Sequence, residues 1–308
     1  MQNLPPAVIV ALLWSLMPLF LFGLVGERVT RSIDRLHAGA QVLLAAVFGV
    51  PYALVSWGES AFQWRWLAFY LLLPVVVALA LFWSQRIDRE QHGTWIDLAV
   101  LLGLGLAVDL RWLEGAWPAH LSLISKMVLL DSGIYAFAVT RPLTDVGFTL
   151  RPRLDDVSIG LRELLFYAPI AIPIGLGLGF LHAHAYFPAT RSLMLAWIFT
   201  FFFIALPEEI YFRGWMQNLL ERRIGRNASL LLTAAIFGLS HFNKRAEHFN
   251  WRYVLLAMIA GFFYGRAWRE RRRVMASSIT HTLVGLRRAS PPAPLHNRHT
   301  RHFSRHDP

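Results

Sequence analysis

Cysteine is absent from the 308 residues. Disulfides, thiolate metal ligands and a cysteine nucleophile are therefore all excluded. Charge is scarce as well: Asp, Glu, Lys and Arg make up 16% of the chain, where a soluble domain carries about 25%. Acids are scarcer than bases, 19 against 30, which leaves a formal net charge of +11 and a pI near 10.8. Such a surplus suits a nucleic-acid binder. Here, however, the arginines fall between apolar runs and in the C-terminal tail, the pattern of the positive-inside bias, and no nucleic-acid partner is expected. The first apolar run lacks a basic segment before it and a small-residue cleavage site after it, so no cleavable leader is expected.

Apolar sequence is abundant: 56% of residues are hydrophobic and mean hydropathy is +0.44. Runs of spanning or near-spanning length occur at about 7–25, 40–57, 67–83, 95–109, 119–139, 158–181, 192–212, 228–243, 251–268 and 274–286. They predict an all-α fold, a multi-pass transmembrane helical bundle of about 8–10 spans in the cell membrane, with the lipid bilayer as a partner. Three segments are expected: N-terminal transmembrane helices over 1–190, a catalytic core over 191–288, and a disordered basic tail rich in His, Arg and Pro over 289–308. The tail histidines, His296, His299, His302 and His306, read as solvated polar residues. Lys and Arg concentrate in the connections after the odd-numbered runs (Arg28, Arg31 and Arg35; Arg86 and Arg89; Arg141, Arg151 and Arg153; Arg222, Arg223 and Arg226; Arg269 to Arg273). That places those connections in the cytoplasm. Gly175 and Gly179 have the spacing of a small-residue helix contact.

Charges inside apolar sequence are costly and face a cavity or one another. Glu208, Glu209 and Arg213 stand among Leu, Ile, Tyr and Phe, and His241 and His281 lie inside two later runs. If the helix continues through the pair, Glu209 and Arg213 are i and i+4 and share a face. Glu208 then points about 100° away. Adjacent carboxylates in a dry setting should not ionise alike, and the unpaired one is a candidate general base for water. Gly225 reads as a helix stop, seventeen residues after Glu208 and sixteen before His241. In an antiparallel pair the two would stand at about the same depth, roughly 25 Å from the turn. The segment after Arg213 is amphipathic, with Trp215, Met216, Leu219 and Leu220 against Gln217, Asn218, Glu221 and Arg222, which fits an interfacial helix. Asp97, Asp109 and Asp131 read as structural, and His120, His182 and His184 as interfacial.

The order Glu-Glu-x-x-x-Arg, then Phe-x-x-x-His, then a His in a last apolar run resembles the CPBP family of intramembrane proteases. That family includes CAAX prenyl endopeptidases and bacteriocin-processing and abortive-infection relatives. The resemblance covers about Leu193 to Leu286. It implies an endopeptidase acting on a membrane-associated protein or peptide. Glu208 would activate the attacking water, His241 would position it, Glu209 and Arg213 would form a supporting pair, and His281 would stabilise the oxyanion. Where the family places Asn or Asp four residues after that last His, this chain has Gly285; a lost oxyanion donor costs about 10²–10³ in rate. No cofactor is required by this reading. A divalent metal such as zinc, held by Glu208, His241 and His281, is the other way to activate water. Metal-free activation is favoured because the depth match needs only Glu208 and His241. The competing classes are a proteolytically inactive membrane scaffold, which Gly285 suits, and a proton-coupled transporter.

Overall fold

Lipid offers no partner for a backbone N–H or C=O, so apolar runs of this length must satisfy their own hydrogen bonds as helices. They do so in the computed structural model, which describes residues 5–182, 190–244 and 248–285. Every long element among the described residues is helical, and none is a strand. In chain order the helices are α1 (Pro6–Ile33), α2 (Ala38–Gly58), α3 (Trp64–Ile87), α4 (Trp95–Asp109), α5 (Ser122–Thr140), α6 (Leu154–Gly177), α7 (Thr190–Ile224), α8 (Arg226–Leu239), α9 (Trp251–Arg271) and α10 (Val274–Gly285). Six of them, α1, α2, α3, α5, α6 and α7, are long and apolar enough to cross a membrane. The chain is an integral membrane protein built as a multi-pass helical bundle. Helices α4, α8 and α10 have 15, 14 and 12 residues, short of the roughly 20 a full crossing needs.

Each apolar run thus becomes one helix, and the differences lie at the ends. Helix α7 continues to Ile224 because the amphipathic segment after Arg213 is buried, including its polar Gln217 and Asn218. Its polar face packs against protein, with Gln217 bonded to the Gly265 carbonyl and Asn218 to that of Thr144. The Gly175 and Gly179 pair makes no small-residue helix contact: Gly179, at φ +63°, lies in the turn that follows α6, and Gly175 makes room for Leu181 from that same turn. Gly225 does end α7, at φ +79°, a conformation that suits glycine. His184, the tail histidines and residues 286–308 lie outside the described residues.

The basic connections gather at one end of the bundle. Arg222 donates to the carbonyls of Gln91 and Thr144 at 2.9 and 2.7 Å, Arg223 donates to Gly93, and Arg272 pairs with Glu221 at 2.6 Å. Arg273 reaches the Arg151 carbonyl at 2.7 Å, and Arg151 reaches that of Leu24 at 2.9 Å. Fully buried Arg141 ties α3, α4 and α5 together. It donates to Asp97 at 3.2 and 3.0 Å, to Asp88 at 2.6 Å and to Gln85 at 3.0 Å. Asp97 also caps α4 reciprocally with Thr94, so its role is structural, as its position in the sequence suggested. Near the opposite end, Asn243 after α8 holds the Asp109 carbonyl of α4 at 2.9 Å.

Candidate active site

Helix α7 carries the acidic pair, and its backbone is irregular there. Only Leu206–Glu209 is α-helical between two π-helical stretches, Phe201–Ala205 and Ile210–Gln217. Pro207 gives the cause: it has no N–H to donate and its ring crowds the carbonyl four residues back. The helix widens around it, and the Leu206 N–H bonds the Phe201 carbonyl, five residues back. Such π segments recur where side chains must be re-aimed for function.

Glu209 and Arg213 are both fully buried, and Arg213 Nε lies 3.1 Å from Glu209 Oε2. The pair is misaligned for a hydrogen bond, so the attraction is Coulombic. Arg213 gains a directed bond from Nη2 to the Gly261 carbonyl of α9, at 2.8 Å. Its guanidinium also lies 4.7 Å from the Phe237 ring and 5.4 Å from that of Tyr264, which adds cation–π stabilisation. The other oxygen of Glu209 accepts from His281 Nδ1 at 2.9 Å. Glu209 therefore bridges Arg213 and His281, 72 residues apart in the chain. The His281 ring is fixed further by stacking on Tyr264, with centroids 4.5 Å apart and planes within 16°. Because Nδ1 donates to a carboxylate, the neutral ring presents its lone pair at Nε2.

Glu208 faces elsewhere. Its side chain is 25% exposed, and Oε2 stands 3.8 Å from His281 Nε2. The carboxylate lines a cavity of about 130 Å³ whose walls include Leu104, Leu130, Phe203, Tyr211 and Trp215. Asp109, Lys126 and Lys244 supply its charge, and Ser240, the neighbour of His241, supplies a hydroxyl. His241 is buried, and its Nδ1 lies 2.9 Å from the Phe237 carbonyl. A carbonyl only accepts, so Nδ1 carries the proton and Nε2 the lone pair. The Phe237 ring touches both imidazoles, with centroids 4.9 Å from His241 and 5.8 Å from His281.

The structure thus joins Glu208, Glu209, Arg213 and His281 in one cluster and sets His241 beside it across Phe237. Three residues of this neighbourhood went unassigned in the sequence: Phe237 as the wedge, Tyr264 as the platform under His281, and Lys126 at the cavity. Asp109, read as structural, also lines the cavity; its place at the end of a short apolar run was the available signal. Gly285 lies one turn beyond His281, about 6 Å along α10, where a Cβ would meet Thr200 Cγ2 at 3.1 Å. Both imidazoles have the Nδ1 partner that metal-binding histidines usually carry. Even so, among the described residues no three His, Asp or Glu side chains are grouped to hold a metal ion, and the donor set does not close around one.

Comparison with known proteins adds a family-model match to part of the chain. Residues 190–286 match the family model described as type II CAAX prenyl endopeptidase Rce1-like. The matched segment is about a third of the chain and coincides with the stretch whose motifs carry the sequence resemblance. No curated protein and no solved structure matches the chain.

Proposed function

We propose that this Rce1-like domain is an intramembrane endopeptidase that hydrolyses a peptide bond of a membrane-associated protein or peptide with an activated water. The observation that carries the reading is the placement of Glu208: a carboxylate lining a mostly apolar cavity, 3.8 Å from Nε2 of His281. That separation exceeds a direct hydrogen bond, and a water drawn into the cavity would sit between the two groups after a modest opening of the gap. Glu208 takes the proton of that water as it attacks the scissile carbonyl and returns it to the leaving amine as the C–N bond breaks, while His241 orients the water through Nε2. His281, held by Glu209 and protonated from solvent before the attack, donates from Nε2 to the developing oxyanion. Arg213 holds Glu209 in place. Water is the nucleophile, so no acyl-enzyme forms. We assign these steps to the core over 191–288 and place the protein in the cell membrane, as an extension of the membrane-protein reading.

The step needs no metal, because Glu208, His241 and His281 supply the base, the orienting acceptor and the oxyanion donor. Stoichiometric zinc in purified active protein, lost together with activity on chelation, would reverse that choice. Gly285 supports a second reading, an inactive scaffold of the same family. Incubating the purified full chain with a library of membrane-embedded peptides separates the readings. Internal cleavage products support the protease. Absence of products supports the scaffold, and proton flux in liposomes without cleavage supports a transporter.

A further inference from the structure

A second, larger opening lies away from the Glu208 cavity. It is a cleft of about 1190 Å³ between the last turns of α1 and the strap of residues 143–153 that leads into α6. Its origin is a break in α1. Val25 leaves the helical region, at φ −134° and ψ 23°, and the freed carbonyls of Gly23 and Leu24 accept from the Leu150 N–H at 2.8 Å and from Arg151 Nη2 at 2.9 Å. The strap is thereby clamped across α1, and the residues below the break splay away to leave the cleft.

Five arginines line it: Arg28, Arg31, Arg151, Arg153 and Arg273. Arg273 is neutralised by Asp156, at 2.6 and 2.7 Å. Among the described residues the other four form no ion pair with a carboxylate, although Glu27 and Asp145 also line the cleft. Four guanidiniums around one concavity repel one another, and an anion bound there removes that repulsion. Scattered solvated arginines would carry no such meaning, but these face a single cleft. The wall between them is apolar, with Phe22, Leu24, Leu143 and Phe148. The cleft lies beside the C-terminal end of one candidate span, α1, and the N-terminal end of another, α6, and the ends of spans are where headgroups are met. Leu24 on α1 and Leu154 and Leu165 on α6 are 44%, 89% and 70% exposed, which offers apolar surface to acyl chains.

We propose that this cleft binds the phosphate of an anionic phospholipid headgroup, with the acyl chains along α1 and α6. The site is independent of the protease reading. Basic pockets between spans recognise such headgroups, and each arginine is worth about five-fold in affinity. The probes are dimyristoylphosphatidylglycerol and dimyristoylphosphatidylcholine, titrated into the full-length protein in detergent, with bound lipid counted by native mass spectrometry. The anionic lipid should bind at least about five-fold more tightly than the zwitterionic one. R28Q/R31Q should weaken it by about thirty-fold, whereas R28K/R31K should stay within a few-fold of wild type. Both residues sit on the exposed end of α1, and the Arg31 bond goes to its own helix, at the Glu27 carbonyl, so melting temperature should hold. Equal binding of the two lipids, or undiminished binding by R28Q/R31Q, overturns the proposal. A loss in R28K/R31K as large as in R28Q/R31Q counts against charge recognition. Displacement of the lipid by low concentrations of inorganic pyrophosphate would make the ligand a soluble phosphate and overturn the lipid assignment.

Discussion

Two neighbouring glutamates have opposite surroundings. Glu209 is sealed between Arg213 and His281, while Glu208 borders the cavity. The i,i+4 pairing of Glu209 with Arg213 was legible in the sequence because it lies within one helix. The Glu209–His281 bond was not, since it depends on how α10 packs against α7. Arg213 makes a directed bond to the Gly261 carbonyl and faces two rings, which a lysine cannot reproduce. Arg213→Lys should therefore lower both the melting temperature and the turnover of a peptide substrate; normal values for both would show that the fork geometry does not matter. On the proposed mechanism Gly285 leaves the oxyanion side short of a donor, and the Thr200 methyl crowds the space a side chain would need. Gly285→Asn alone should raise the cleavage rate only slightly. Combined with Thr200→Ser, which removes that methyl, it should gain roughly ten-fold or more. Rates that do not respond to the pair would leave the scaffold reading ahead.

At the scale of elements, hydropathy located every helix, because lipid makes the length of an apolar run a direct measure of a helix. It failed where burial inside the protein replaced contact with lipid. The polar end of α7 read as interfacial, yet Gln217 and Asn218 are buried against other helices. The π segments around Pro207 were equally hidden, since hydropathy carries no information on helix winding. The approach of α8 to α9 sets His241, and it is tight: a Cβ on Gly238 would stand 2.7 Å from the Val254 carbonyl oxygen and 2.8 Å from Met258 Cβ. Backbone cannot yield as a side-chain tip does. Gly238→Ala should destabilise the protein by about 1–3 kcal/mol and reduce turnover more than thermal stability alone explains. Wild-type turnover at matched folding would show that the spacing of α8 and α9 does not govern His241.

Across the whole molecule, most of the arginines in the described connections gather at one end, while Lys126 and Lys244 stand at the Glu208 cavity. The odd-numbered connections meet at one end and bond to one another, a requirement of the charge-based orientation read from the sequence. Charge counting could locate those arginines but not their partners. Arg141, Asp88 and Asp97 form a buried knot whose members lie 53 and 44 residues apart. Burial would raise the Asp88 carboxyl, but the hydrogen bond from Arg141 and the amides of Gly93 and His92 override it, and it lies below its ordinary value of 3.8. A carboxyl depressed in the folded state adds stability that is fully present above its unfolded value and is lost as pH falls through the folded one. The melting temperature should therefore drop as pH is lowered below about 4, and Asp88→Asn should be less stable at neutral pH with a flatter acid limb. An unchanged acid limb in that variant would remove Asp88 from the account.

The division of labour between the two glutamates is tested most directly by one comparison: turnover of a membrane peptide and melting temperature, measured together for wild type, Glu208→Gln and Glu209→Gln. Glu208→Gln should abolish cleavage and melt as wild type does. Glu209→Gln should lose both activity and stability, by about 3–5 kcal/mol, because Arg213 is left buried and unpaired. Cleavage by Glu208→Gln at a rate comparable to wild type would contradict the assignment of the base.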